Sequence, residues 1–177
     1  MSRILIRVLW LTLISGLSLQ GCTPPKPVRL GAPIEGFSHT SAAINRFSVN
    51  GGGGPNLAPY GYGGGQMCCA SLPVKWHPGL TVVVEWVKDP DPYAYADWPK
   101  PRYSDAWSKA AREHEAKYTR HRAVVPVARY ERLGVVNVHF LPCNQVAVTA
   151  GLMMPGTPKY PYYFPQKMQE PATCPES

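Results

Sequence analysis

The sequence predicts a mainly β fold: an antiparallel β-sandwich with one inserted helix and long Gly/Pro-rich loops. Three observations carry that reading. Sixteen glycines and 20 prolines among 177 residues imply many turns and few helices. Short β-branched runs recur between turn signals, as in sandwiches. Only one stretch has the apolar spacing of a helix.

The elements follow in order. Residues 44–49 (INRFSV) alternate and stop at a glycine run. Residues 80–87 (LTVVVEWV) form the strongest strand, ending at the turn-forming Asp89-Pro90-Asp91-Pro92. Ser104 is suited to cap a helix running to about Arg120, with Trp107, Ala110, Ala111, His114 and Tyr118 on one face. Residues 123–130 (AVVPVARY) read as a strand whose Pro126 cannot donate to a ladder, which implies an edge or a bulge. Residues 134–141 and 145–150 read as a pair turning around Pro142-Cys143-Asn144.

The N-terminus sets the compartment. Arg3 and Arg7 precede an uncharged apolar stretch, residues 8–19, too short to span a bilayer comfortably. Leu19-Gln20-Gly21-Cys22 then matches a lipobox, in which a small residue precedes the cysteine that receives diacylglycerol. Residues 1–21 are thus expected to be a lipoprotein signal peptide, and residues 22–35 a lipidated, proline-rich tether. Residues 36–177 are expected to form a single periplasmic β-rich domain. Thr23 in place of a retaining aspartate points to the outer membrane, periplasmic face, with the membrane contacted through lipid on Cys22. Cleavage would remove two of the positive charges behind the formal +7. No nucleic-acid signature accompanies the remaining charge.

Four cysteines remain for disulfides in an oxidising compartment: Cys68, Cys69, Cys143 and Cys174. Adjacent cysteines at about 3.8 Å between Cα atoms fall below the usual disulfide range. The expected pairings therefore join one of Cys68 and Cys69 to Cys143 and the other to Cys174. A bridge to Cys143 would stabilise by about 4 kcal/mol in the chain-entropy model.

The chain carries few signs of catalysis. Gly51 to Gly54 and Gly61 to Gly65 lack the Lys-Ser/Thr and helix of a phosphate loop, and read as flexible or tightly turned loop. His39, His77, His114, His121 and His139 form no metal-ligand spacing, and no Gly-x-Ser-x-Gly elbow is present. No cofactor, metal or catalytic residue is assigned. The residues that stand out are aromatic: Tyr60 and Tyr62 among glycines, Tyr93, Tyr95 and Trp98 among prolines and acids, and Tyr162 and Tyr163 near the C-terminus. Tyrosine and tryptophan on proline-stiffened loops suit partner binding, and suit equally the stapling of loops onto a sandwich.

The run Phe47 to Gly51, then Cys68-Cys69, Leu72-Pro73, Trp76 and Pro78-Gly79-Leu80, resembles an uncharacterised family of bacterial lipoproteins over roughly residues 36–165. Val138 to Pro142 and Tyr160-Pro161 share the likeness. Members are similar to proteins encoded beside type VI secretion phospholipase effectors. The resemblance implies an immunity protein, not an enzyme, whose partner is a secreted lipase. The alternative is a structural or assembly lipoprotein of the cell envelope.

Overall fold

A computed structural model of the chain describes residues 27–63 and 67–175. Residues 1–21, expected to be a signal peptide, Cys22, the first residues of the expected tether and Gly64-Gly65-Gln66 lie outside them. Eight strands form two four-stranded sheets packed face to face. Strands β1 (Arg29–Ser38), β4 (Met67–Pro73), β7 (Val136–Phe140) and β8 (Val146–Thr149) make the first, in the order β4-β1-β7-β8. Strands β2 (Ala43–Val49), β3 (Gly52–Gly54), β5 (Thr81–Asp89) and β6 (Thr119–Pro126) make the second, in the order β3-β2-β5-β6. The predicted sandwich is the observed architecture. The pairings are antiparallel except β1 with β7, which run parallel.

Alternation explains the core. Ile34, Leu72, Val136, Val138 and Val148 face inward from the first sheet, and Val49, Val82 and Val84 from the second. Phe47 and Trp86 cross the gap to Phe140, with ring centroids 5.1 and 5.7 Å apart. Beyond Pro126, Val127 pairs in parallel with Val148, so the chain steps from one sheet onto the other. Pro126 closes an edge strand, where its missing donor costs no ladder bond.

Several boundaries depart from expectation. The segment read as tether becomes strand from Arg29 onward, because the extended backbone that proline favours can also pair. Arg29 Nη2 donates to the Ser71 carbonyl at 2.6 Å, while Ala32 and Ile34 enter the core. Pro33 cannot donate, and the register slips opposite it between Ala32 and Ile34. The glycine run is ordered structure, not a free loop. Asn50 (φ 50°) and Gly51 (φ 84°) make the two-residue turn of a hairpin, and β3 follows. A Cβ at Gly54 would overlap the Phe47 ring, so glycine is what lets β3 close over it.

The helix α1 (Asp105–Glu115) starts where predicted, with Ser104 Oγ accepting from the Trp107 amide at 3.2 Å. It stops short of Arg120. All eight residues of β6 pair with β5, and those ladder bonds outweigh the helical tendency of the last turn. His121 consequently belongs to a strand, stacked on Trp86 at 5.1 Å. The strand expected at 123–130 begins four residues earlier, for the same reason.

The disulfides also differ from the expected pairings. Cys68 is bonded to Cys69, and Cys143 to Cys174. The sheet explains why neither expected bridge to Cys143 forms. Met67 lies opposite Ile34 on β1, whereas Cys143 follows Phe140, which lies opposite Ser38. The sites are two strand spacings apart, roughly 10 Å, and several residues further along the strands. That exceeds the roughly 7 Å reach between Cα atoms of a disulfide.

Candidate functional site

The outward face of the first sheet holds the densest side-chain chemistry. Ordinarily β7 would bury alternate residues, yet all five are buried. The cause is the chain beyond β8, which crosses this face as a strap. Tyr160, Tyr162 and Phe164 pack around His139 at centroid distances of 5.7, 6.4 and 5.3 Å. The strap is pinned by the Met168 amide donating to the His39 carbonyl at 2.8 Å, and by the Cys143–Cys174 bond.

Beneath it runs a hydrogen-bonded chain. His39 Nδ1 lies 2.7 Å from the Pro165 carbonyl, which can only accept, so Nδ1 carries a proton. His39 Nε2 lies 2.9 Å from His139 Nδ1. His139 Nε2 lies 2.6 Å from the Tyr160 hydroxyl. Thr149 Oγ1 lies 3.1 Å from the Tyr160 hydroxyl and accepts from Asn137 Nδ2 at 3.3 Å. Burial, and after it the neighbouring His39, pulls the His139 pKa down to about 3. Burial likewise pushes the Tyr160 hydroxyl up to about 12. With His139 held neutral, the chain is a buried polar network that holds the strap in register. Asn137 Oδ1 is its one buried atom without a partner among the described residues.

The predicted aromatic residues divide between two places. Tyr60 and Tyr62 come to the edge of the strap. Tyr62 is 71% exposed, with its ring 6.4 Å from Phe37. Tyr60 accepts from Gln166 Nε2 through its carbonyl at 3.1 Å, and Lys167 Nζ sits 5.6 Å over its ring. Tyr162 is half-buried against Phe164, while Tyr163 points outward at 92% exposure. All four lie on the strap or beside it.

Tyr93, Tyr95 and Trp98 belong to a second cluster around α1. Tyr93 and Tyr95 are exposed, whereas Trp98 packs against Trp107 and His114 at 5.2 and 5.5 Å. There His114 Nε2 donates to Asp89 Oδ2 at 3.2 Å, both side chains buried, and Asp89 Oδ1 accepts from the Asp91 amide at 3.0 Å. Tyr118 completes the pocket, its pKa raised by burial. This arrangement staples the helix to the end of β5.

Two features went unmarked in the sequence. One is the His39–His139–Tyr160 chain, whose members are distant in the chain and fit no motif. The other is a cavity of about 270 Å³ between residues 129–132 and the start of the strap. As for metals, Cys143, Glu170 and Cys174 have suitable donor types, but the two sulfurs are bonded to each other. Glu170 instead accepts from the Cys143 amide at 2.8 Å.

The family described as protein of unknown function DUF3304 matches residues 37–148, more than half of the chain, and the chain belongs to it. No curated protein and no solved structure matches it.

Proposed function

We propose that this DUF3304 protein is a lipid-anchored binding module of the bacterial outer membrane, facing the periplasm. Its partner in this reading is a phospholipase delivered by a neighbour's type VI secretion system, whose active-site mouth it blocks. The observation that carries the reading is the group of tyrosines on the strap or beside it, Tyr60, Tyr62, Tyr162 and Tyr163. It is displayed on a sandwich whose strap is fixed by a disulfide and a buried polar network. Large aromatic groups held on a stiff frame lose little entropy on binding, the property expected of an inhibitor. The lipobox at Cys22 supports the tether, which concentrates the inhibitor where a lipase acts without adding contacts.

The test is co-expression with the adjacently encoded lipase, scoring rescue from toxicity, co-purification and residual lipase activity. A stoichiometric complex with inhibited lipase is expected. Tyr62→Ala and Tyr163→Ala should each weaken it by about 2 kcal/mol, the size of an aromatic anchor. Full lipase activity in the presence of excess protein would refute the proposal.

A further inference from the structure

The 270 Å³ cavity has none of Tyr60, Tyr62, Tyr162 and Tyr163 in its lining. Its walls come from the segment after β6 and from the two ends of the loop between β8 and the strap. Three cations line it, Arg129, Arg132 and Lys159, against one acid, Glu131. None of the three cations lies within ion-pair distance of a carboxylate among the described residues. Arg129 sits 5.9 Å over the Trp76 ring, which limits the directions its guanidinium can take.

The rim is apolar. Leu152 and Met153 line the opening and remain about half exposed, and Met154 beside them is similarly uncovered. Three consecutive exposed apolar side chains beside a cationic hollow are unusual on a sandwich whose other large aliphatic residues are mostly inside. The floor is rigid, since Thr149 and Tyr160 belong to the buried hydrogen-bonded chain.

From this juxtaposition we infer that the cavity binds the phosphodiester headgroup of an anionic phospholipid, with its acyl chains lying along Leu152, Met153 and Met154. Guanidinium groups match phosphate oxygens in pairs, and the hollow is at the small end of ligand sites. It therefore takes a headgroup and leaves the chains on the apolar rim. Methionine suits that rim, being flexible enough to follow disordered hydrocarbon. The consequence is a second hold on the membrane besides the lipid on Cys22, one that would orient the domain. The inference stands apart from the lipase reading, because neither the cavity nor its rim includes the tyrosines invoked there.

The experiment is native mass spectrometry of the full chain released in an uncharged detergent, titrated with phosphatidylglycerol or with phosphatidylcholine. One phosphatidylglycerol per chain is expected, bound at least tenfold more tightly than phosphatidylcholine. Arg132→Gln combined with Lys159→Gln should weaken it at least tenfold, and Met153→Glu several-fold. Arg46→Gln with Arg122→Gln, an equal charge loss on the opposite sheet, should leave it unchanged, and circular dichroism checks that each variant is folded. Inorganic phosphate and glycerol phosphate supply the headgroup chemistry without chains and should compete poorly. Equal adducts in the cavity variants, equal losses in the opposite-sheet control, or glycerol phosphate binding as tightly as the lipid would each overturn the inference.

Discussion

On the first sheet the outward residues of β7 are Asn137 and His139, both buried under the strap. On the second sheet the outward neighbours on β5 and β6 are Glu85 and Arg122, with side chains 56% and 60% exposed. The strands are alike in regularity, and the difference comes from what the chain does afterwards. One face is roofed by a tail that proline stiffens and a disulfide pins. The other keeps its charges in water, Arg46, Arg120 and Arg122 around Glu85. A covered face can hold a neutral histidine, His139, in a buried hydrogen-bonded chain, whereas a bare face carries ions. If that contrast is right, perturbations under the strap should be expensive and those on the open face nearly free.

The largest effect should come from acid. His139 titrates near 6.5 in the unfolded chain but near 3 in the folded protein, because burial and His39 disfavour its charged form. Between those values the unfolded state binds the extra proton. Stability is therefore fully present above about pH 6.5 and declines as pH falls toward 3. The ceiling of this contribution is on the order of 5 kcal/mol. Urea midpoints measured from pH 7.5 to 4 should fall more steeply for the wild type than for His139→Gln, in which the position cannot titrate. Glu35, His39, Tyr160 and Tyr162 surround the site, so the difference between the two curves is the informative quantity. Parallel curves would mean the covered face does not hold His139 neutral.

Next in size is the pin itself. Cys143 and Cys174 are 31 residues apart, and replacing both by serine should cost about 3–4 kcal/mol in the chain-entropy model. Hydrogen exchange should then rise at Asn137 and His139, with the open sheet unchanged. Replacing Cys68 and Cys69 by serine offers the contrast, because a bond between neighbours in sequence closes almost no loop. A drop in stability as large as that from the Cys143–Cys174 pair would show that loop closure is not the operative cause.

The second sheet was the easier one to read from sequence. The β-branched run ending in Trp86 declared β5, and Ser104 placed the start of α1 to the residue. Asn50-Gly51 was also readable, being the usual pair for a two-residue hairpin, though the glycines after it masked the strand they form. Little of the first sheet's outer face could be found that way. Its histidines are 100 residues apart, and they meet only because β1 and β7 are parallel neighbours. The disulfides were hidden for a related reason, since pairing follows from how far apart β4 and the end of β7 sit in the sheet, and cysteine spacing does not encode that. Of the candidate site, the tyrosines were legible by composition. The cavity was not, because Lys159 and the apolar rim join Arg129 and Arg132 through loop packing alone.

The smallest effect should be found on the open face, and its smallness is the point. Arg122 Nε lies 3.5 Å from Glu85 Oε1, directly across the β5–β6 ladder. A pair this exposed gains little from Coulomb attraction in water and gives back part of it in side-chain entropy. A double-mutant cycle with Glu85→Gln and Arg122→Gln should therefore give a coupling of no more than about 0.5 kcal/mol, disappearing in molar salt. The same cycle also probes occupancy of this sheet. Were a second chain or a partner to cover it, as the strap covers the first, the pair would be desolvated and its coupling would rise above about 1 kcal/mol and resist salt. Measured on the free protein, weak and salt-sensitive coupling keeps the two faces distinct, and strong coupling erases the asymmetry on which the contrast rests.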